Sequence, residues 1–343
     1  MGSIRAIRIG NVEQLLLRIV GSLGQALRHT PLVRWRWLGR LYDRFTMKLG
    51  KTDAVTVGPF TVFLDPRDHV IAKKLILYGN FEGREIELLC SHVRPGDCAL
   101  DVGANIGLYS LALSRAVGPT GHVIAVEPDP ENLALLRRNL QFNGCTNVIV
   151  IVEALGDEAG TVMLYETDRA NRGALSTVDI AGVGAQRALE VKMRRGDSVM
   201  QEVGLKPRIA KIDVEGTEPR VFAGLGAFLP EVLLFEFVPH QLRAAGHDPV
   251  SFLHTLDAAG YTLALVDPDT GDHPILTEET IYERVAAART DRNVLAISRD
   301  RFPNLSSSDL TNRAAAQLHQ LSVAFSDLGR PSASSHDTAI RCV

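Results

Sequence analysis

Cysteine, tryptophan and long apolar runs are scarce in this sequence. The chain has four cysteines and two tryptophans among 343 residues. The cysteines are Cys90, Cys98, Cys145 and Cys342. They lie far apart with no CxxC or Cys/His spacing, which excludes a disulfide framework and a zinc site and favours a reducing, cytoplasmic compartment. Charged and amide side chains interrupt residues 12–27, so this stretch predicts neither a membrane-spanning helix nor a signal peptide.

The composition is that of an ordinary folded protein with one basic end. At roughly 150 residues per domain, the length predicts about two domains, or one large α/β domain with extensions. Hydrophobic residues make up 45% and charged residues 22% of the chain, which excludes collagen-like, coiled-coil and wholly disordered chains. Residues 1–51 carry ten Lys or Arg against Glu13 and Asp43, a net charge of +8 that leaves −11 for the remainder.

The basic segment 1–51 predicts a helical extension. Apolar side chains recur at helical spacing in residues 12–27, and the arginines fall off that stripe. We expect the stripe to pack on the protein itself, with a peripheral membrane contact as the alternative. Trp35 and Trp37 lie among arginines, a pattern that can stack on bases, but a solvated basic face is preferred and nucleic acid is not expected as a partner. Ser-rich composition predicts a partly disordered tail over 301–343.

Between these ends, short apolar runs alternate with helical patterns. The runs typical of strands are 98–102, 123–126, 148–152, 209–214, 232–237, 261–266 and 294–298. The helical patterns between several of them are 106–117, 130–142, 217–228 and 249–259. Such alternation predicts a doubly wound α/β domain with a mostly parallel sheet, over residues 52–300. Residues 54–65 predict a hairpin around Gly58-Pro59, and 161–166 with 189–194 predict an inserted strand pair.

A glycine turn follows the first of the strands in the main domain. The strand ends at Asp101, and Gly103, Asn105 and Gly107 precede a helix. Free backbone N–H groups and the helix dipole at such a turn favour an anionic or nucleoside ligand. The next strand ends at Glu127, where a carboxylate can accept hydrogen bonds from both hydroxyls of a ribose.

The turn fits a sulfonium donor better than a dinucleotide. The dinucleotide fingerprint G-x-G-x-x-G is broken here, because Asn105 and Leu108 stand at two of its glycine positions. Asp101 directly before the turn would repel a pyrophosphate but would attract the ammonium group of an amino acid. We therefore predict S-adenosylmethionine as the cofactor, with a purely structural glycine turn as the alternative.

By its motifs, the sequence resembles the FkbM-type family of S-adenosylmethionine-dependent methyltransferases. The motifs are LDVGANIG at 100–107, VEPDP at 126–130, EALGD at 153–157, KIDVEG at 211–216 and FEF at 235–237. The resemblance covers residues 54–299, with Phe81 where the family commonly has tyrosine. It implies a Rossmann-like class I methyltransferase sheet whose last strand is antiparallel, and usually O-methylation of a hydroxyl on a saccharide or natural product.

The resemblance also implies positions for the donor. The methionine part would lie among Asp101, Gly103, Asn105 and Gly107, and the ribose at Glu127 beside Pro128. The adenine would lie along 154–157. That segment consists of Ala154, Leu155, Gly156 and Asp157. Asp157 would lie near the exocyclic amine, while Leu155 serves equally well as a core residue.

Acceptor chemistry is expected at the ends of the fourth and fifth strands. The candidate catalytic residues are Lys211, Asp213, Glu215, Glu236 and His240. Alternation along a strand would put Lys211, Asp213 and Glu215 on one face, if the strand extends to Glu215. A buried Lys211 ion pair without chemical role is the alternative. No metal is expected, although Asp213 with Glu236 would suit magnesium.

Two other functions compete with a small-molecule or saccharide methyltransferase. The first is a catalytically idle, donor-binding or membrane-tethered scaffold. The second is an RNA methyltransferase, in which an Asn-Pro-Pro-Tyr type motif is expected at the fourth strand, where this chain has Asp-Val-Glu-Gly. Upstream, Tyr78, Glu82 and Glu85 either close over the donor or follow a capped helix start at Asn80.

Overall fold

A computed structural model describes residues 53–65, 68, 70–168, 171–176, 188–268, 271–288 and 292–300. The extension predicted over 1–51 and the tail predicted over 301–343 lie outside these residues, so both stay predictions, as does the domain boundary at 51–52. The described residues divide into two compact units. One contains the residues up to Phe81 together with 171–173, and the other contains the rest from Glu82 onward.

The first unit contains a hairpin and one helix. Strands β1 (Ala54–Val57) and β2 (Phe60–Phe63) pair antiparallel, which confirms the predicted hairpin. Gly58 lies at φ +54, a conformation that glycine adopts at little cost. Helix α1 (Ile71–Tyr78) ends at Gly79 in the left-handed region. No helix starts at Asn80, so the predicted cap there is wrong.

The second unit is built on a seven-stranded sheet. Its strands are β3 (Cys98–Val102), β4 (His122–Val126), β5 (Val148–Ile151), β10 (Ile209–Ile212), β11 (Val232–Phe237), β12 (Tyr261–Leu265) and β13 (Arg292–Ser298). Their order is β12-β13-β11-β10-β3-β4-β5. The pairs from β5 across to β11 are parallel, and β13 runs antiparallel to both of its neighbours. This confirms the predicted doubly wound α/β class with an antiparallel last strand.

Helices connect these strands. They are α2 (Gly83–Ser91), α3 (Leu108–Val117), α4 (Pro130–Phe142), α5 (Gly196–Val203), α6 (Glu218–Leu225), α7 (Pro239–Ala244), α8 (Pro249–Ala258) and α9 (Glu278–Ala288). The start of helix α4 is well defined by the sequence. The Asp129 side chain accepts hydrogen bonds from the N–H groups of Glu131 and Asn132, and Pro130 occupies the first turn.

A second, four-stranded sheet accounts for the inserted strands. It contains β6 (Ala154–Gly156), β7 (Gly160–Asp168), β8 (Asn171–Ser176) and β9 (Ala188–Arg195), in the order β6-β9-β7-β8. The pairing of β7 with β9 confirms the predicted pair. Neither β6 nor β8 is predicted by the sequence patterns.

The hydrophobic core lies on both faces of the main sheet. All four residues of β10 are buried, as expected for a parallel strand covered by helices on each side. Phe252 of α8 packs edge to face on Phe222 and Phe235, with ring centroids 6.3 and 5.4 Å away. Among the described residues, no helix combines the length and the apolar character needed to cross a bilayer.

We expect Gly103→Ala to destabilise the second unit severely. A Cβ at Gly103 would lie 1.8 Å from the Asp213 carbonyl oxygen, and φ is +80. Gly144→Ala is the matched control, since its φ is +68 and a Cβ there would meet nothing within 4 Å. Left-handed backbone alone costs about 1–2 kcal/mol, and the clash should add about 1–3 kcal/mol at Gly103. Equal losses in urea unfolding would contradict the close approach.

Candidate active site

The glycine turn after β3 is tied to the end of β4. The N–H groups of Gly103 and Ala104 both donate to the Val126 carbonyl, at 3.0 and 2.9 Å. Asn105 and Gly107 follow at φ 51 and 95, and α3 then begins. These bonds fix the turn where β4 ends, so the predicted methionine and ribose residues are neighbours in space.

Glu127 is the buried carboxylate of this neighbourhood. Its side chain accepts the Asn105 N–H at Oε2 and the Asp129 N–H at Oε1, both at 2.8 Å. A carboxylate has about four acceptor positions, so two remain, the number that a ribose diol requires. Burial raises the pKa of Glu127 to about 8. Pro128 is half-buried between this carboxylate and the α4 cap. Both residues fit the ribose contact that the resemblance implies.

Asp101 lies beneath the turn rather than at its surface. It is 1% exposed, and its Oδ2 accepts the Ser110 hydroxyl at 2.5 Å. Burial raises the pKa of Asp101 to about 6, since removing a carboxylate from water disfavours its charged form. A contact between Asp101 and the donor ammonium stays a prediction.

The segment predicted to line the adenine forms β6. Ala154 and Leu155 are buried, and Leu155 belongs to the hydrophobic core, as its alternative interpretation states. The Asp157 carboxylate accepts the Arg220 Nε at 2.8 Å, while a Cβ on Gly224 of α6 would lie 1.8 Å from the Gly156 carbonyl oxygen. The observed contacts of this segment therefore hold α6 against β6, and its adenine contact stays a prediction.

On the acceptor side, the structure corrects the predicted end of the fourth strand. Strand β10 ends at Ile212 rather than continuing through Glu215, so strand alternation does not place Glu215. The chain instead turns, and Glu215 lies at φ 54. Glu218 Oε1 accepts the N–H groups of Val214 and Gly216, at 3.1 and 3.2 Å. The turn is thus built around the buried Glu218 carboxylate, which no sequence motif indicates.

The turn nevertheless brings three of the predicted acids together. Asp213, Glu215 and Glu236 each offer a carboxylate oxygen within 4.8 Å of the others, and we call them the acidic group. The register explains part of this, because Ile212 pairs with Phe235 and the next residues along are Asp213 and Glu236. Burial, followed by the charges of Asp213 and Glu215, raises the pKa of Glu236 well above its usual range.

Lys211 lies buried beside the acidic group. It is 1% exposed; its ammonium lies 3.3 Å from Asp213 Oδ2 and donates to Asn293 Oδ1 at 2.8 Å. Burial lowers the pKa of Lys211, but the charges of Asp213, Glu82 and Glu236 outweigh burial and raise it. The buried Lys211 ion pair, the alternative interpretation of these charged residues, is therefore present.

Of the candidate catalytic residues, His240 lies outside the acidic group, and Tyr109 lies beside Lys211 without having been predicted. His240 is exposed at the start of α7 and is not part of the acidic group. Tyr109 was not predicted. Its hydroxyl donates to Glu82 Oε2 at 2.9 Å, and its ring lies 5.4 Å from the Lys211 ammonium. Burial raises the pKa of Glu82 to about 7.

Backbone strain marks the same region. Among the described residues, three other than glycine have positive φ: Glu82, Asn105 and Glu215. Such conformations cost of order 1–3 kcal/mol each and concentrate at functional sites. Glu82 directly precedes α2, Asn105 belongs to the glycine turn, and Glu215 belongs to the acidic group. No sequence motif signals this for Glu82 or Glu215.

We expect the affinity for S-adenosylmethionine, the donor that the resemblance implies, to rise with pH. The folded pKa of Glu127 lies above the ordinary glutamate value of 4.5, so ionisation weakens the folded state as pH rises through about 8. Ribose hydroxyls favour the ionised carboxylate, so binding should strengthen about tenfold or more from pH 6.5 to 8.5. Calorimetry at several pH values measures this. Glu127→Gln should bind about ten- to a hundredfold more weakly without this pH dependence; an unchanged slope would contradict it.

Several known proteins are similar to this chain. A hexuronic acid methyltransferase, AglP, from Haloferax volcanii is 28% identical over 51% of this chain and 67% of its own length. A protein-L-isoaspartate O-methyltransferase from Methanothrix thermoacetophila is 29% identical over 44% of this chain and 70% of its own. A solved putative methyltransferase from Streptococcus mutans in complex with SAH is 13% identical over 62% of this chain and 94% of its own, with a TM-score of 0.38.

The strand order, rather than that structural likeness, identifies the fold. The sheet order β12-β13-β11-β10-β3-β4-β5 with β13 antiparallel is that expected for a class I methyltransferase. Residues 101–263 match the family model described as the methyltransferase FkbM domain. This range contains the glycine turn, Glu127 and the acidic group. The chain therefore contains a methyltransferase FkbM domain over these residues, and S-adenosylmethionine is the methyl donor of that domain.

Proposed function

We propose that the protein transfers a methyl group from S-adenosylmethionine to a hydroxyl of a saccharide or a related natural product. The observation that carries the proposal is the acidic group beside the donor turn. Asp213 N–H donates to the Val102 carbonyl at 2.9 Å, so the residues after β3 and β10 lie side by side. The similarity to a hexuronic acid methyltransferase supports a saccharide acceptor.

Alignment is the main task of such a site. The donor supplies a methyl group activated by its positively charged sulfur. The acceptor oxygen has to approach that methyl in line, at a distance set by the protein. The glycine turn and Glu127 hold the donor from the side of β3 and β4. The acidic group approaches from β10 and β11, where it can orient an acceptor hydroxyl.

The acceptor hydroxyl also has to lose its proton. A positioned carboxylate that accepts this proton contributes about 10² to 10⁴ in rate. Asp213 is suited to it by position, since its side chain is 27% exposed and it comes directly after β10, beside the glycine turn. Glu215, which accepts the Gln241 amide at 2.5 Å, is suited to orienting the hydroxyl. His240 is the competing base, from the start of α7.

A catalytically idle scaffold and an RNA methyltransferase are the competing functions. An idle donor-binding domain has no use for three carboxylates held close together, because their mutual repulsion only destabilises the fold. An RNA acceptor would meet the same negative charge with its phosphates. Both considerations favour a hydroxyl-bearing small molecule over an idle domain and over RNA.

We expect Asp213→Asn and Glu215→Gln to retain donor binding, because the predicted donor contacts follow β3, β4 and β5. Turnover should fall about a hundredfold in at least one of them, the effect of losing a proton acceptor or an orienting hydrogen bond. Release of S-adenosylhomocysteine with a panel of hexoses and hexuronic acids measures turnover. Glu158→Gln is the control, since that side chain is 72% exposed.

Three results separate the candidates. Near wild-type turnover in both Asp213→Asn and Glu215→Gln would remove these acids from the chemistry. A larger loss in His240→Ala, with a titration near neutral pH gone from the rate profile, would make His240 the base. Donor binding without turnover on any saccharide would favour the scaffold.

A further inference from the structure

The spacing of the acidic group suits a cation. The oxygens of Asp213, Glu215 and Glu236 all lie within 4.8 Å of one another. Oxygens on opposite sides of one ion are about 4.0–4.2 Å apart for Mg²⁺ and about 4.6–5.2 Å apart for Ca²⁺, twice the ligand distance in each case. Three carboxylates at these separations repel one another unless a proton or a cation lies between them.

Glu236 provides the second, independent observation. Its Oε2 exposes less than 1 Å² and accepts no hydrogen bond, although it lies on a central strand among paired groups. A buried acceptor without a partner costs about 1–3 kcal/mol. Buried polar groups in folded proteins are almost always satisfied, by protein, water or an ion. Among the described residues nothing donates to Glu236 Oε2, so a water or a bound cation is left to satisfy it, and the two neighbouring carboxylates favour the cation.

The neighbouring positive charge does not serve this oxygen. The Lys211 ammonium is directed to Asp213 Oδ2 and Asn293 Oδ1. Across the part of the chain that the structure describes, no ion pair reaches Glu236. At Glu215 the observed donor is the Gln241 amide, which is neutral; Gln241 Oε1 is itself a buried acceptor without a hydrogen bond. The Lys211 ammonium is therefore engaged away from Glu236.

We propose that Asp213, Glu215 and Glu236 bind one divalent cation of the magnesium, manganese or calcium type. These hard ions prefer oxygen ligands and take six or more. Three protein oxygens leave positions for two oxygens of the acceptor, as in a vicinal diol or a hydroxy acid. This second part rests on the proposed function, because it places the acceptor at the acidic group. Bound there, the ion orients the acceptor and favours loss of its hydroxyl proton.

The register of the sheet makes the site possible. Asp213 and Glu236 follow the Ile212–Phe235 pair on adjacent parallel strands. Glu215 then joins them from a turn, at a left-handed φ of 54. Asp213 contacts Lys211 through one oxygen and keeps the second for the ion. The site thus uses one side chain from each strand end and one from the strained turn.

Manganese titration of the chelator-stripped full chain tests the proposal directly. Electron paramagnetic resonance counts unbound Mn²⁺, with neither donor nor acceptor present. We expect one equivalent to bind, and Mg²⁺ or Ca²⁺ to displace it. Glu236→Gln and Asp213→Asn should each weaken binding about tenfold or more, since even the outer partners of metal ligands contribute 10- to 100-fold.

Glu153→Gln is the matched control. Glu153 Oε2 is also buried without a hydrogen bond, but Glu153 lies outside the acidic group. Its removal should leave Mn²⁺ affinity unchanged. If Glu153→Gln and Glu236→Gln lose Mn²⁺ equally, or if neither loses it, the proposal is wrong. Circular dichroism and donor binding verify folding, and Asp213→Asn replaces Glu236→Gln if the latter does not fold.

The outcome of the test for the cation site can be told apart from the outcome of the test for methyl transfer. Absence of Mn²⁺ binding, together with turnover that EDTA does not reduce, would overturn the cation site while leaving methyl transfer intact. Absence of S-adenosylmethionine binding would contradict the donor site whatever Mn²⁺ does. Turnover that EDTA abolishes and Mg²⁺ restores, together with Mn²⁺ binding that depends on Glu236, would support both.

Discussion

The contact between Gly103 and the Asp213 carbonyl is the constraint on which the site depends. Any side chain at position 103 would occupy the space of that carbonyl, so only glycine lets β3 and β10 continue side by side past their last paired residues. The glycine turn and the backbone at Asp213 are therefore held in contact, and the distance between these two backbone segments does not depend on side-chain rotamers. A reaction that requires in-line approach benefits from such fixed spacing.

Lys211 and the acidic group place opposite charges beside this backbone contact. Lys211 is 1% exposed, and a buried ammonium is tolerated only beside acceptors and opposite charges. Asp213 and Asn293 supply these, and the Tyr109 ring covers another side. The carboxylates of the acidic group lie where the proposed function places the acceptor, and positive charge from the donor sulfur and from a bound cation would offset their charge. Burial, followed by the charges of Asp213 and Glu215, raises the pKa of Glu236.

The sequence predicts the strands and helices of the fold better than it predicts the arrangement of the site. Strands such as β3 and β11 were predicted with correct bounds, because continuous apolar runs are what doubly covered parallel strands require. Glu127 and the α4 cap follow from local motifs. The Glu215 turn could not be predicted, since alternation gives no warning that a strand stops early at Ile212. Nor could the Tyr109–Glu82 bond, which joins residues 27 positions apart and leaves no periodic signal.

One hydrogen bond joins the second sheet to the turn at Glu215: the Ser176 hydroxyl at the end of β8 donates to the Glu215 carbonyl at 2.8 Å. The predicted methionine and ribose contacts follow β3 and β4, whereas this contact comes from an insertion between β5 and β10. Under the proposed function, a change at the end of β8 would move Glu215, and with it alter acceptor choice, without touching those donor contacts. Changes at a single inserted segment therefore give the fold a route to new substrates.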